Sequence, residues 1–94
     1  MANPRYIAYF TTPSSGSTGP EALMSIRQAA DRLRARARDP YSGCNGQSWV
    51  DLYAITDGRM LADAEEMAGV GVPFDGGPDV RIALGPRGGA HIER

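Results

Sequence analysis

The chain has 94 residues, 41% of them hydrophobic and 22% charged, and a net charge of −1. That length holds one small core and excludes a second, so a single globular domain over residues 1–94 is expected. The composition excludes a disordered chain, and the longest bulky apolar run, residues 6–10, is too short to cross a bilayer.

Residues 6–12 are aromatic and β-branched and stop at Pro13, which predicts a strand. Ile7 and Tyr9 take one face, and Tyr6, Ala8 and Phe10 take the other. Apolar character on both faces suits a central strand. Residues 13–20 read as a Ser/Gly/Thr loop, and a helix is expected over 20–38. Pro20 suits a first helical position, Thr18 or Gly19 supplies the cap, and Glu21 lies near the positive end of the dipole. Leu23, Ile26, Ala30, Leu33 and Ala37 recur at helical spacing and form an apolar stripe, and Pro40 ends the helix.

A second loop follows over 41–48, then a strand over 49–56 with Trp49, Tyr53 and Ile55 on one face and Val50, Leu52 and Ala54 on the other. Asp57 and Gly58 make a tight turn. Residues 59–68 fit a helix better than a strand, because Ala, Glu, Asp and Met are poor strand formers. After a Gly/Pro loop over 69–78, residues 80–84 alternate as a strand and residues 90–93 form a short partner strand. The order β-α-β-α-β-β predicts an α+β (or small α/β) two-layer fold: one four-stranded mixed sheet with helices packed on it. A right-handed crossover would make the first two strands parallel.

Cys44 is the lone cysteine, which excludes an intrachain disulfide and a Cys-rich zinc site and fits a reducing compartment. With no charged-then-apolar leader pattern at the start, a soluble cytoplasmic protein is expected. All ten basic residues are Arg and none is Lys, which reads as the mark of a GC-rich bacterial or phage genome. Residues 1–40 carry six Arg against three acids, +3, and residues 41–94 carry four against eight, −4. Neither half demands nucleic acid as a partner, and Asp31 sits within the basic stripe of Arg27, Arg34 and Arg38.

The most suggestive segment is residues 14–19, Ser14-Ser15-Gly16-Ser17-Thr18-Gly19, placed between a strand and an expected helix start. Backbone N–H groups and hydroxyls at such a place can cradle a phosphate. Ser17-Thr18-Gly19 resembles the flavin-phosphate loop of flavodoxins, and the whole segment resembles the Ser-Gly-Ser-Thr-Gly loop of adenylate-forming enzymes. Either resemblance implies a phosphate or nucleotide site at Ser15, Gly16, Ser17, Thr18 and Gly19. Pro20 stands where flavodoxins place a Thr, and the Lys of the adenylate-forming enzymes is missing, so a plain connection is the preferred reading.

Cys44, in a Gly-rich loop, and His91, the single histidine, could form a nucleophile–base dyad, but an incidental thiol and a solvated His are the preferred reading, and the acidic residues of the second half match neither calcium nor transition-metal spacing. No catalytic residue, metal or cofactor is therefore expected. The expectation is a small non-enzymatic binding module acting through protein–protein contact, as a self-associating subunit, an inhibitor or an accessory protein. The partner is a protein or a second copy of the chain, with nucleic acid and membrane not expected. Trp49, Tyr53 and Ile55 are the candidate contact residues, as an apolar patch on a thinly covered sheet face.

Overall fold

A computed structural model describes residues 3–12, 16–37, 48–85 and 89–93. The fold is α+β, in the order β1 (Tyr6–Thr12), β2 (Gly16–Leu23), α1 (Ile26–Ala37), β3 (Trp49–Ala54), α2 (Met60–Glu66), β4 (Val80–Leu84) and β5 (Ala90–Glu93). The strands form one five-stranded sheet, β2-β1-β3-β4-β5, and every neighbouring pair is antiparallel. This corrects the expected four-stranded mixed sheet. The added strand is β2, where the sequence predicts a loop and a helix start.

The extra strand also corrects the expected parallel pairing of β1 and β3. Strand β2 returns the chain to the end of the sheet where β1 began, and α1 then crosses from β2 to β3. The two strands joined by the helix run parallel, but β1 lies between them and is antiparallel to both.

β2 pairs with β1 through a bulge. Ala8 faces Glu21 and Phe10 faces Thr18, so Gly19 and Pro20 together oppose the single residue Tyr9. The Gly19–Pro20 peptide is cis. Gly19 has φ +142°, and a Cβ there would lie 2.7 Å from the Ala8 carbonyl oxygen, so only glycine fits this close approach. Pro20 has no N–H to donate to the ladder, and the bulge and the sheet edge tolerate that loss.

Helix α1 starts at Ile26, later than the expected residue 20. Ser25 caps it: the Gln28 N–H donates to Ser25 Oγ at 3.0 Å, while Gln28 Oε1 accepts from the Met24 N–H at 2.7 Å. This reciprocal pair satisfies donors that an open helix end leaves free. Leu23, expected on the helical stripe, is instead the last residue of β2 and is buried there opposite Tyr6. Helix α2 begins after an Asp57 turn, in which Asp57 Oδ1 accepts from the Arg59 N–H at 2.8 Å.

The helices lie on opposite faces of the sheet, which makes three layers where two were expected. On one face, Ala29 and Leu33 of α1 pack on Ala8, Phe10, Val50, Leu52, Ile82 and Leu84. Each bulky side chain fully buried there contributes about 1.5–3 kcal/mol. Arg36 seals the margin: its guanidinium sits 4.4 Å from the centre of the Phe10 ring and donates to Glu21 Oε2 at 2.8 Å and Thr18 Oγ1 at 3.3 Å. On the other face, Ala64 of α2 packs on Ile7 and Tyr53, with Tyr9, Ile55, Met60, Leu61 and Phe74 around them. Among the described residues, no helix is long and apolar enough to cross a membrane.

Candidate functional site

Ser14, Ser15 and Cys44 lie outside the described residues. Gly16, Ser17, Thr18 and Gly19 all belong to strand β2, and the next helix begins at Ile26. The motif therefore runs on as a strand and does not lead into a helix N-terminus, the arrangement on which a phosphate cradle was expected. The side chains have other employment. Ser17 Oγ and Thr11 Oγ1 share a hydrogen bond of 3.1 Å across the strands, and Thr18 Oγ1 accepts from Arg36. Gly19 is glycine because the β1 backbone leaves no room for a Cβ.

The same residues do line a cleft of about 210 Å³, with Tyr9 at its wall and Gly69, Val70, Gly71 and Val72 across from it. Among the described residues, no cationic side chain lines it. Its hydroxyls and valines offer little to a dianion and more to a neutral, largely apolar molecule. Tyr9 Oη is buried and has no hydrogen-bond partner among the described residues.

The structure divides the three candidate contact residues. Tyr53 is 8% exposed, stacked edge-on with Tyr9 at a centroid distance of 5.8 Å and tilted against Phe74 at 5.2 Å. Burial raises both tyrosine pKa values above 10, with Tyr53 adding to the rise at Tyr9 and the Asp51 carboxylate to that at Tyr53. Ile55 is half-buried beside them. Trp49 shares the face but lies toward its other end, half-buried and outside the cluster under α2.

Trp49 is instead the neighbour of an ion pair that sequence reading misses. Arg81 Nε donates to Asp51 Oδ1 and Arg81 Nη2 to Asp51 Oδ2 at 3.2 Å, in a fork, and the guanidinium lies 5.4 Å from the Trp49 ring. The hydrogen bond to Asp51 raises the Arg81 pKa further above its ordinary value. Both residues sit where strand alternation turns them away from the α1 core. The register that sets Asp51 opposite Arg81 is not written in either strand.

On β5, His91 and Glu93 are exposed, with Nε2 of His91 3.4 Å from Oε1 of Glu93. Three arginines of α1 are matched by carboxylates, Arg32 and Arg36 by Glu21 and Arg34 by Asp31. No cluster of His, Cys, Asp or Glu able to hold a metal occurs among the described residues. No protein-family model matches the chain, and neither the curated proteins nor the solved structures contain a significant match to it.

Proposed function

We propose that the chain is a small non-enzymatic binding module that acts through protein–protein contact. One observation carries the reading: among the described residues, the two faces of the sheet are covered unequally. Helix α1 spans twelve residues and seals its face, whereas α2 spans seven and packs over one end of the other. At the remaining end stand Trp49, the Asp51–Arg81 pair and the exposed His91 and Glu93, a mixture of aromatic, forked-cation and carboxylate groups suited to a protein surface. Trp49 keeps its role as the central candidate contact. Tyr53 and Ile55 support the sheet beneath α2.

The test is sizing chromatography with light scattering on the purified chain, together with reconstitution of any protein it retains from purified components. The expected result is self-association or a stoichiometric partner. For a partner held on the open face, Trp49→Ala weakens the contact and leaves the melting temperature close to that of the wild type. A chain that stays monomeric and retains no protein overturns the reading.

A further inference from the structure

The two edges of the sheet are built differently. The β2 edge carries a bulge, a proline without an N–H, and two arginines of α1 bound across it to Glu21. These features keep a further strand from pairing there. The β5 edge has none of them. Ala90-His91-Ile92-Glu93 holds neither Pro nor Gly, pairs with β4 in unbroken register, and is the last strand of the sheet among the described residues.

Its backbone polarity follows from the ladder. The Gly85 N–H donates to the Gly89 carbonyl at 2.7 Å, and the Leu84 N–H turns the other way, to Ser48 of the preceding connection. Hydrogen-bonded pairs alternate in an antiparallel ladder, so His91 and Glu93 use their backbone groups on β4, and Ala90 and Ile92 direct theirs to the open edge. The Ile92 side chain is 50% exposed. It lies opposite Ile82, a member of the α1-side core, and so marks the exposed margin of that core among the described residues.

We propose that β5 pairs antiparallel with β5 of a second copy of this chain about a two-fold axis, joining the two five-stranded sheets into one. The proposal rests on the protein-contact reading above and names the occupant. Ile92 would exchange both backbone hydrogen bonds with Ile92 of the second copy, and the two apolar side chains would cover each other on the α1 side. In this register His91 stands directly opposite Glu93 of the second copy, twice by symmetry. An imidazole N–H thus meets a carboxylate on the face that carries Trp49. The neighbouring register allowed by backbone polarity sets His91 against His91 and loses this match. Identical edges with a donor and an acceptor two residues apart are complementary to themselves only when antiparallel, as an isologous contact requires. The strands are short, so the contact belongs to the weak class.

The experiment is sedimentation equilibrium of the full chain at high micromolar concentration. A dimer is expected. Ile92→Pro removes the outward N–H and the apolar side chain together, leaves the inward bonds to β4 in place, and should shift the chain to monomer. His91→Glu places carboxylate against carboxylate and should weaken the dimer about tenfold or more. The double exchange His91→Glu with Glu93→Arg restores opposite charges in the proposed register and should restore the dimer. Circular dichroism of each variant confirms that the fold is kept. If Ile92→Pro unfolds the chain, the charge series alone decides. A dimer untouched by the charge series uses another surface and overturns this proposal while sparing the protein-contact reading. A wild-type monomer that holds a reconstituted protein partner does the same, and a monomer that holds nothing overturns both.

Discussion

Gly19 lies so close to Ala8 that a Cβ on it would stand 2.7 Å from the Ala8 carbonyl oxygen and 3.0 Å from the Tyr9 ring. The backbone there has φ +142°, a region that side chains rarely enter. Gly19→Ala should therefore lower stability by about 2–3 kcal/mol or more, through clash and strain together. Gly16 is the control: its φ is +65° and nothing lies within 4 Å of its Cβ position. Gly16→Ala should cost only about 1–2 kcal/mol, the ordinary left-handed penalty. Urea denaturation of the two variants side by side checks the order, and equal losses would show that the close approach to β1 does not matter.

Leu33 is fully buried between α1 and the sheet. Leu33→Asp should destabilise by about 4 kcal/mol or more, because a carboxylate would enter an apolar layer with no partner. A melting temperature within a degree or two of the wild type would mean that this face of α1 is not the core.

Two buried hydroxyls, Tyr9 Oη and Ser48 Oγ, have no hydrogen-bond partner among the described residues. Removing an unsatisfied polar atom while keeping the shape relieves a desolvation penalty, so Tyr9→Phe and Ser48→Ala should leave stability unchanged or raise it by up to about 1 kcal/mol. Thermal denaturation of each single variant measures this, and a clear loss in either would reveal a partner for that hydroxyl.

Tyr9 and Tyr53 also make the fold sensitive to alkali. Their folded pKa values are raised by burial, so above pH 10, the ordinary tyrosine value, the unfolded chain loses these protons first. Fewer protons on the unfolded state means that stability falls as pH rises through this range, and the contribution is intact below it. Tyr9→Phe should flatten part of the decline in melting temperature above pH 10. An identical decline in the variant would place the sensitivity elsewhere.

Phosphate, ATP and flavin mononucleotide should not raise the melting temperature, since residues 16–19 lie in a strand and no cation among the described residues lines the adjoining cleft. A bound ligand at about 100 times its dissociation constant would stabilise the fold by about 2.7 kcal/mol. A shift of several degrees that Ser17→Ala abolishes would restore the phosphate reading of this segment.

The elements legible in the sequence are those whose own side chains carry the pattern. Tyr6–Thr12, Val80–Leu84 and Ala90–Glu93 occur where they are expected, and α2 falls within the expected helix. The division of Tyr6, Ala8 and Phe10 from Ile7 and Tyr9 is the division between the two cores. Alternation is local, and burial on either side of a strand preserves it. The start of α1 was also legible: Ser25 and Gln28 are the capping pair, a stronger signal than Pro20.

Strand β2 was decided by tertiary structure alone. Gly16-Ser-Thr-Gly-Pro-Glu-Ala-Leu23 has no apolar alternation and two residue types that weaken strands, so nothing local favours extension. It pairs because the edge of β1 offers unsatisfied backbone groups, and the bulge at Gly19 and Pro20 accommodates what the sequence would otherwise forbid. The same holds for the open face. Trp49, Tyr53 and Ile55 share one side of β3 by alternation, but α2 and Phe74 cover two of them and leave Trp49 beside Arg81. Which residues a helix covers depends on where the chain returns across the sheet, and that is a property of the assembled layers and not of any one segment.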